Sequence, residues 1–152
     1  MEDFVNSSVL MLDAKLESLR EINPWLEQKW NEYHLPDCRR FDISLCLYEV
    51  VANIIMYAFD QPVGHQIEVA LKVRESIVEI TVKDDGRPFN PLAHPEQPSP
   101  LSIGEAPIGG YGITLIRSLS DRLDYERSQY NNIFIITNFL VPITQLCNYQ
   151  HQ

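Results

Sequence analysis

The segment LCLYEVVANIIMYAF, from Leu45 to Phe59, constrains the fold of this chain more than any other. It is apolar on nearly every side of a helix, and such a helix is usually buried. Glu49 and Asn53 interrupt it four residues apart, about 40° around the helix axis, so they share one face. Unpaired burial costs several kcal/mol for a carboxylate and roughly 1 to 3 kcal/mol for a carboxamide. Either backbone groups or a distant arginine satisfy the pair, or both side chains face a ligand cavity.

The residues before this helix predict a strand followed by a helical stretch. FVNSSVLML mixes β-branched and polar residues in the manner of a strand. From about 13 to 33 the apolar residues recur at helical spacing, namely Leu16, Leu19, Leu26 and Trp30. Pro24 predicts a kink or break near positions 22–23. Asp37 then stands as the expected N-cap of the helix that ends near Phe59.

The residues after this helix predict two hairpins separated by a long loop and one more helix. QIEVALKV and SIVEITVK alternate apolar and polar residues, as do RLDYERS and NIFIITNFLV near the end. Between them, 87–108 holds six of the ten prolines, and a loop of that length is usually functional or disordered. Grouped helices and hairpins favour an α+β fold: a two-layer sandwich with helices on one face of a mixed, mostly antiparallel sheet.

Composition and charge narrow the class of protein. The chain has 152 residues and 45% hydrophobic content, which suits a single domain over 1–152. A net charge of -9 without a lysine/arginine block disfavours nucleic acid as a partner. No apolar run reaches the roughly 18 residues of a membrane span, and the acidic start is unlike a signal peptide, so we expect a cytoplasmic location. Cys38, Cys46 and Cys147 lack CxxC spacing, which indicates reduced thiols, and the four histidines form no metal pattern.

Two further motifs have the composition of a nucleotide site. In VKDDG, Asp84 ends a strand and Gly86 permits a sharp turn; this is either an ordinary Asp-Gly turn or an acceptor for an exocyclic amine such as that of adenine. In GGYG, the glycines 109, 110 and 112 precede a helix, where exposed N–H groups favour phosphate. The second motif is neither a Walker loop nor a Rossmann fingerprint.

The order and spacing of these motifs resemble those of the Bergerat ATP-binding fold of the GHKL group, which includes gyrase and the histidine kinases. The helix pair matches its N box, DDG its first glycine box and GGYG its second. DGRPFNP and APIGGYGITLIRSLSDRLDYER further resemble the bacterial anti-sigma-factor serine kinases, which are small stand-alone domains. The resemblance covers roughly 41–140.

The resemblance implies a role for each residue singled out above. Glu49 would be the general base that deprotonates or orients the attacking hydroxyl, and Asn53 would coordinate the Mg²⁺ that bridges the phosphates of ATP. Asp84 would bind the adenine amine, with Gly86 allowing close approach. Backbone N–H groups of Gly109, Gly110 and Gly112 would hold phosphate oxygens. The segment 88–108 would be a lid, and 143–152 a polar tail.

Three functions are compatible with this set. The first is a serine/threonine kinase that phosphorylates a serine of a STAS-type anti-anti-sigma protein and binds a sigma factor or similar regulator. The second is a non-catalytic, nucleotide-dependent partner-switching module, against which Glu49 argues, because binding alone needs no base. The third, an ATP-hydrolysing subunit of a larger GHKL machine, lacks a transducer domain after Leu140. The stretch 13–33 is a candidate homodimer face.

Overall fold

The computed structural model describes residues 6–61, 63–93 and 112–140, which form two layers. The strands of the first layer are β1 (Asn6–Asp13), β2 (Gln66–Arg74), β3 (Ile77–Asp84), β4 (Arg122–Arg127) and β5 (Asn132–Phe139). The helices of the second are α1 (Ile22–Glu32), α2 (Arg40–Tyr57) and α3 (Gly112–Leu119), with 3-10 turns at Leu16–Glu21, Asp37–Arg39 and Pro91–Ala93. The predicted α+β sandwich is therefore confirmed.

The sheet has the strand order β1-β2-β3-β5-β4, and each of its four described pairings is antiparallel. The expectation of a mixed sheet is wrong for the described strands. The connection through α3 carries the chain from β3 to β4, which runs in the same direction, but β4 does not pair with β3. Instead β5 lies between β3 and β4 and pairs with each of them in the antiparallel sense.

Strand alternation places one face of the sheet against the helices. The predicted inward positions Ile67, Val69, Leu71 and Val73 are all buried. In β3 the inward set starts at Val78, which is 1% exposed, while Ile77 is only half buried on the other face. The same alternation puts Asp84, the last residue of β3, on the inner face of the sheet. A carboxylate therefore lies on the side of the sheet that the helices cover.

The segment before α2 divides where Pro24 predicted a break. Residues Leu16–Glu21 form a 3-10 turn, and α1 starts at Ile22, so Pro24 lies in its first turn, where the missing N–H costs no helical hydrogen bond. Trp30 is 1% exposed and donates its indole N–H to the carbonyl oxygen of Pro36 at 2.9 Å. Leu16 is 56% exposed, because the 3-10 turn shifts the phase of the predicted apolar face.

Two details of α2 differ from expectation. Asp37 does not cap the helix: it opens a 3-10 turn after the extended Pro36, and the N-cap position falls to Arg39, which makes no side-chain cap. The helix is also not buried on all sides. Phe41, Tyr48 and Met56 are 74%, 44% and 45% exposed, while its opposite side forms the centre of the core. The rest of the fold covers α2 on one side only, which explains why these three side chains are exposed.

Cys38 and Cys46 are reduced cysteines outside any disulfide, as predicted; Cys147 lies outside the described residues. Among the described helices, none combines the length and the apolar character needed to cross a bilayer.

The register of β3 predicts unequal costs for two similar substitutions. Ile80→Ala removes a side chain that is 1% exposed in the core, so we expect a loss of about 2 to 5 kcal/mol in the free energy of unfolding. Ile77→Ala, on the other face of the same strand, should cost clearly less. Denaturant unfolding of both variants measures the difference, and equal losses would contradict the inward assignment.

Candidate functional site

Glu49 and Asn53 share the face of α2 that α3 approaches. Asn53 is 7% exposed and Glu49 is half buried. They lie one helical turn apart, as their spacing predicted. The structure thus places a carboxylate and a carboxamide next to each other on a helix whose other residues form much of the core.

Gly112, the first residue of α3, lies directly against this pair. A Cβ atom at Gly112 would stand 2.9 Å from Glu49 Oε2 and 3.3 Å from Asn53 Nδ2, so no side chain fits without displacing Glu49. The amino terminus of a helix carries free N–H groups and partial positive charge, which favour an anion. The structure therefore brings together a carboxylate, a carboxamide and a helix amino terminus. Gly109 and Gly110 lie outside the described residues.

Asp84 ends β3 as a buried carboxylate, 2% exposed. Its Oδ1 accepts the N–H of Gly86 at 2.9 Å and the side-chain N–H of Asn132 at 3.0 Å. Burial raises the pKa of this carboxyl, although both hydrogen bonds act to lower it. A buried acceptor of this kind suits a neutral donor such as an exocyclic amine, because no cation has to be desolvated with it.

The turn after Asp84 is fixed to the carboxyl end of α2. Arg87 donates its backbone N–H to the carbonyl oxygen of Ala58 at 2.9 Å, and its guanidinium donates to the carbonyl oxygen of Tyr57 at 2.6 and 2.9 Å. A Cβ atom at Gly86 would collide with the Ala58 oxygen and stand 2.8 Å from the Ala58 Cβ. Gly86 is therefore required by close packing on α2.

Asn132, the first residue of β5, was not predicted as a site residue. It is 3% exposed, and its side chain contacts Asp84, Arg87, Phe89, Tyr125 and Arg127 through hydrogen bonds. Its position in the tripeptide Tyr-Asn-Asn has the composition of a turn, so no local signal distinguishes it. Asn132 is recognised as a site residue only from the strand register, which places it opposite Asp84.

The described start of the expected lid, 88–93, is anchored on two sides. Phe89 contacts the ring of Tyr57 with a centroid distance of 6.2 Å. Arg117 of α3 donates to the carbonyl oxygen of Leu92, within the 3-10 turn Pro91–Ala93, at 2.9 Å. The remainder of the expected lid, 94–108, and the expected tail, 143–152, lie outside the described residues.

A cavity of about 1020 Å³ opens beside Asp84 and Asp85, with Ile55 and Met56 of α2 in its wall. Glu49, Asn53 and Gly112 are not among the residues that line it. This cavity therefore borders the Asp84 side of the arrangement.

The chain resembles known proteins in sequence. The histidine kinase-like ATPase domain family matches residues 12–137. The serine/threonine-protein kinase BtrW of Bordetella bronchiseptica is 30% identical over 105 residues, which are 68% of this chain and 72% of that protein. The serine-protein kinase RsbW of Listeria innocua is 29% identical over 84 residues, and this match spans about half of each protein, 53% and 54%. The anti-sigma F factor of Bacillus subtilis is 21% identical over 108 residues, 70% of this chain and 74% of the factor.

A crystal structure agrees at the level of the fold. The RsbU and RsbW domains of a Mycobacterium tuberculosis protein superpose with a TM-score of 0.65 and 17% identity, covering 90% of this chain and 32% of that one. The match over 12–137 includes α2, the turn after β3 and the start of α3, which are the elements that carry the site. The chain belongs to the histidine kinase-like ATPase domain family, in the branch of the anti-sigma-factor serine kinases.

Proposed function

We propose that this chain is an ATP-dependent protein kinase that phosphorylates a serine of a STAS-type antagonist protein and thereby regulates a sigma factor or a similar regulator. The observation that carries the proposal is the meeting of Glu49, Asn53 and the amino terminus of α3 at Gly112. The names of the relatives, two of them serine or serine/threonine kinases and one an anti-sigma factor, support the same activity.

The described residues fit a nucleoside triphosphate with its Mg²⁺. The Asp84 carboxylate is a buried acceptor for a purine amine, and the carboxamide oxygen of Asn53 is the kind of hard ligand that Mg²⁺ takes. The start of α3 at Gly112 supplies backbone N–H groups for phosphate oxygens, and Gly109 and Gly110, outside the described residues, are proposed to add theirs. When bound, ATP supplies the transferable phosphoryl group and Mg²⁺ neutralises its charge.

Glu49 has the chemistry of a general base in this arrangement. Its carboxylate, half buried beside Gly112, would take the proton of the serine hydroxyl as that oxygen bonds to the γ-phosphorus and the bond from the γ-phosphorus to ADP breaks. Asn53 would hold the cation from the same helical face, one turn away, so base and metal ligand keep a fixed separation. Phosphoryl transfer depends mainly on positioning and charge stabilisation, and a rigid helix provides the first of these.

The proposed function also includes a location, a lid and a second copy of the chain as a partner. The chain acts as one cytoplasmic domain with a lid at 88–108, and it pairs with a second copy through the 13–33 segment. Trp25, Leu26 and Trp30 of that segment pack into the core, so the solvent side, where Leu16 is exposed, provides the contact. Neither nucleic acid nor a membrane is a proposed partner.

Calorimetry of ATP binding with and without Mg²⁺ tests the nucleotide site. Asn53→Ala should abolish the gain in affinity that Mg²⁺ gives the wild type, because it removes the carboxamide oxygen. Asp84→Asn should remove the preference for ATP over purine riboside triphosphate, which lacks the 6-amino group. Thermal unfolding of each variant verifies that it is folded. A wild type that does not bind ATP would refute the site.

Transfer of radiolabelled phosphate to purified STAS-type proteins tests the kinase activity. Glu49→Gln should lower the transfer rate by about 10² to 10⁴-fold, the usual contribution of a general base, while ATP affinity is retained. Glu79→Gln, on the outer face of β3, is the matched control. Binding of Mg²⁺ and ATP without transfer to any partner would instead favour the non-catalytic partner-switching module.

The raised pKa of Asp84 predicts a pH dependence of base selection. The ionised carboxylate accepts the amine more strongly than the neutral carboxyl does, so the preference for ATP over the amine-free analogue is greatest above the raised pKa and falls as the pH drops through it. Stability has the opposite sign: ionising the buried carboxyl costs folding free energy, and acidification through the same pKa relieves that cost. The measurement is the ratio of the affinities for ATP and for the analogue as a function of pH. Titration of the phosphates affects both affinities equally and therefore does not change this ratio. A ratio that rises on acidification would contradict this assignment.

A further inference from the structure

Asn132 has more polar contacts than its place at the start of a strand requires. Its Oδ1 accepts the phenol of Tyr125 at 2.6 Å, the backbone N–H of Phe89 at 3.1 Å and the guanidinium of Arg127 at 3.1 Å. Its Nδ2 donates to Asp84 Oδ1 at 3.0 Å and to the carbonyl oxygen of Arg87 at 2.8 Å. One carboxamide thus joins β3, β4, β5 and the turn after β3.

These partners leave Asn132 with a single possible orientation. A backbone N–H and a guanidinium only donate, so they require the amide oxygen on the side of Phe89 and Arg127. A carboxylate and a backbone carbonyl only accept, so they require the amide N–H groups on the side of Asp84 and Arg87. A flipped amide would lose hydrogen bonds on both sides, at a buried position where each loss is costly.

The fixed orientation determines which oxygen of Asp84 can meet a ligand. Both hydrogen bonds that the described residues make to this carboxylate, from Gly86 and from Asn132, fall on Oδ1. The other oxygen, Oδ2, therefore remains as the acceptor. We propose that Asn132 is the positioning residue that determines base specificity: it saturates Asp84 Oδ1, so that Oδ2 accepts the exocyclic amine of adenine and disfavours the carbonyl oxygen of guanine.

This inference rests on the proposed role of Asp84 in binding the purine and extends that role to its neighbour. Without Asn132, the Asp84 carboxylate loses its only described side-chain hydrogen bond and keeps the N–H of Gly86. A carboxylate with one restraint rotates more freely, and its acceptor is no longer held in one direction. Selectivity for the amine should then fall more than affinity for the rest of the nucleotide.

Calorimetry with ATP, GTP and purine riboside triphosphate separates positioning from general stability. The wild type should favour ATP over the analogue by about tenfold or more, as expected for a hydrogen bond to a charged acceptor. Asn132→Ala should bring that ratio towards one, while affinity for the analogue changes little. Asn138→Ala is the matched control, because it removes a carboxamide that is 1% exposed at the other end of β5 and is hydrogen-bonded to Arg39 and Asp121.

Asn132→Asp provides a readout that a purely structural role would not change, and it carries the test if the alanine variant does not fold. Two carboxyls then face each other, and at alkaline pH, where both are ionised, selectivity should be lost. On acidification, one shared proton restores a donor to Asp84 Oδ1, and the ATP-to-analogue ratio should rise. The wild-type ratio should change in the opposite direction.

The outcomes distinguish this inference from the function on which it rests. A wild type that fails to bind ATP, or that binds ATP and the analogue equally, refutes the role of Asp84 itself. A selective wild type whose Asn132 variants lose ATP and analogue affinity to the same extent, or keep the wild-type ratio and pH profile, refutes the role of Asn132 alone. Loss of selectivity in Asn138→Ala would also refute it.

Discussion

The contact on which the site depends is the attachment of the turn after β3 to the carboxyl end of α2. Backbone hydrogen bonding between Arg87 and Ala58, with Gly86 packed too closely for any side chain, joins the sheet layer to the helix layer at one point. The same helix carries Asn53 five residues earlier, about 7.5 Å along its axis. This attachment therefore sets the separation between the residue proposed to bind the base and the residue proposed to bind the metal.

The polar groups of the site are arranged so that burial is tolerated. Asp84 and Asn132 are nearly inaccessible, and each is hydrogen-bonded within the fold before any ligand arrives. Unsatisfied groups at such positions would cost about 1 to 3 kcal/mol each. The network thus serves two purposes, because the bonds that compensate for desolvation also hold the carboxylate in one orientation. Sites whose side chains are restrained in advance recognise ligands with less loss of entropy on binding.

Sequence periodicity predicted the parts of this structure that depend on local pattern. The alternation from Ile67 to Val82 and the pairing of Glu49 with Asn53 are consequences of fixed strand and helix repeats, and both were found. Asp37 was misplaced because a 3-10 turn precedes the helix, and propensity does not distinguish such a turn from a cap. The all-antiparallel sheet and the role of Asn132 depend on β5 lying beside β3, a non-local pairing that no window of sequence contains.

That non-local pairing has a consequence for the order in which the molecule forms. Asp84 and Asn132 are 48 positions apart in the chain, and the intervening residues include the longest connection between described elements. Closing so long a loop delays contact formation relative to local hairpins such as β2–β3. During synthesis, a chain that has emerged only as far as β4 holds Glu49, Asn53 and Asp84, but the Asp84 carboxylate has the N–H of Gly86 and still lacks the side chain of Asn132. The proposed discrimination between purines is then one of the last properties that folding would confer.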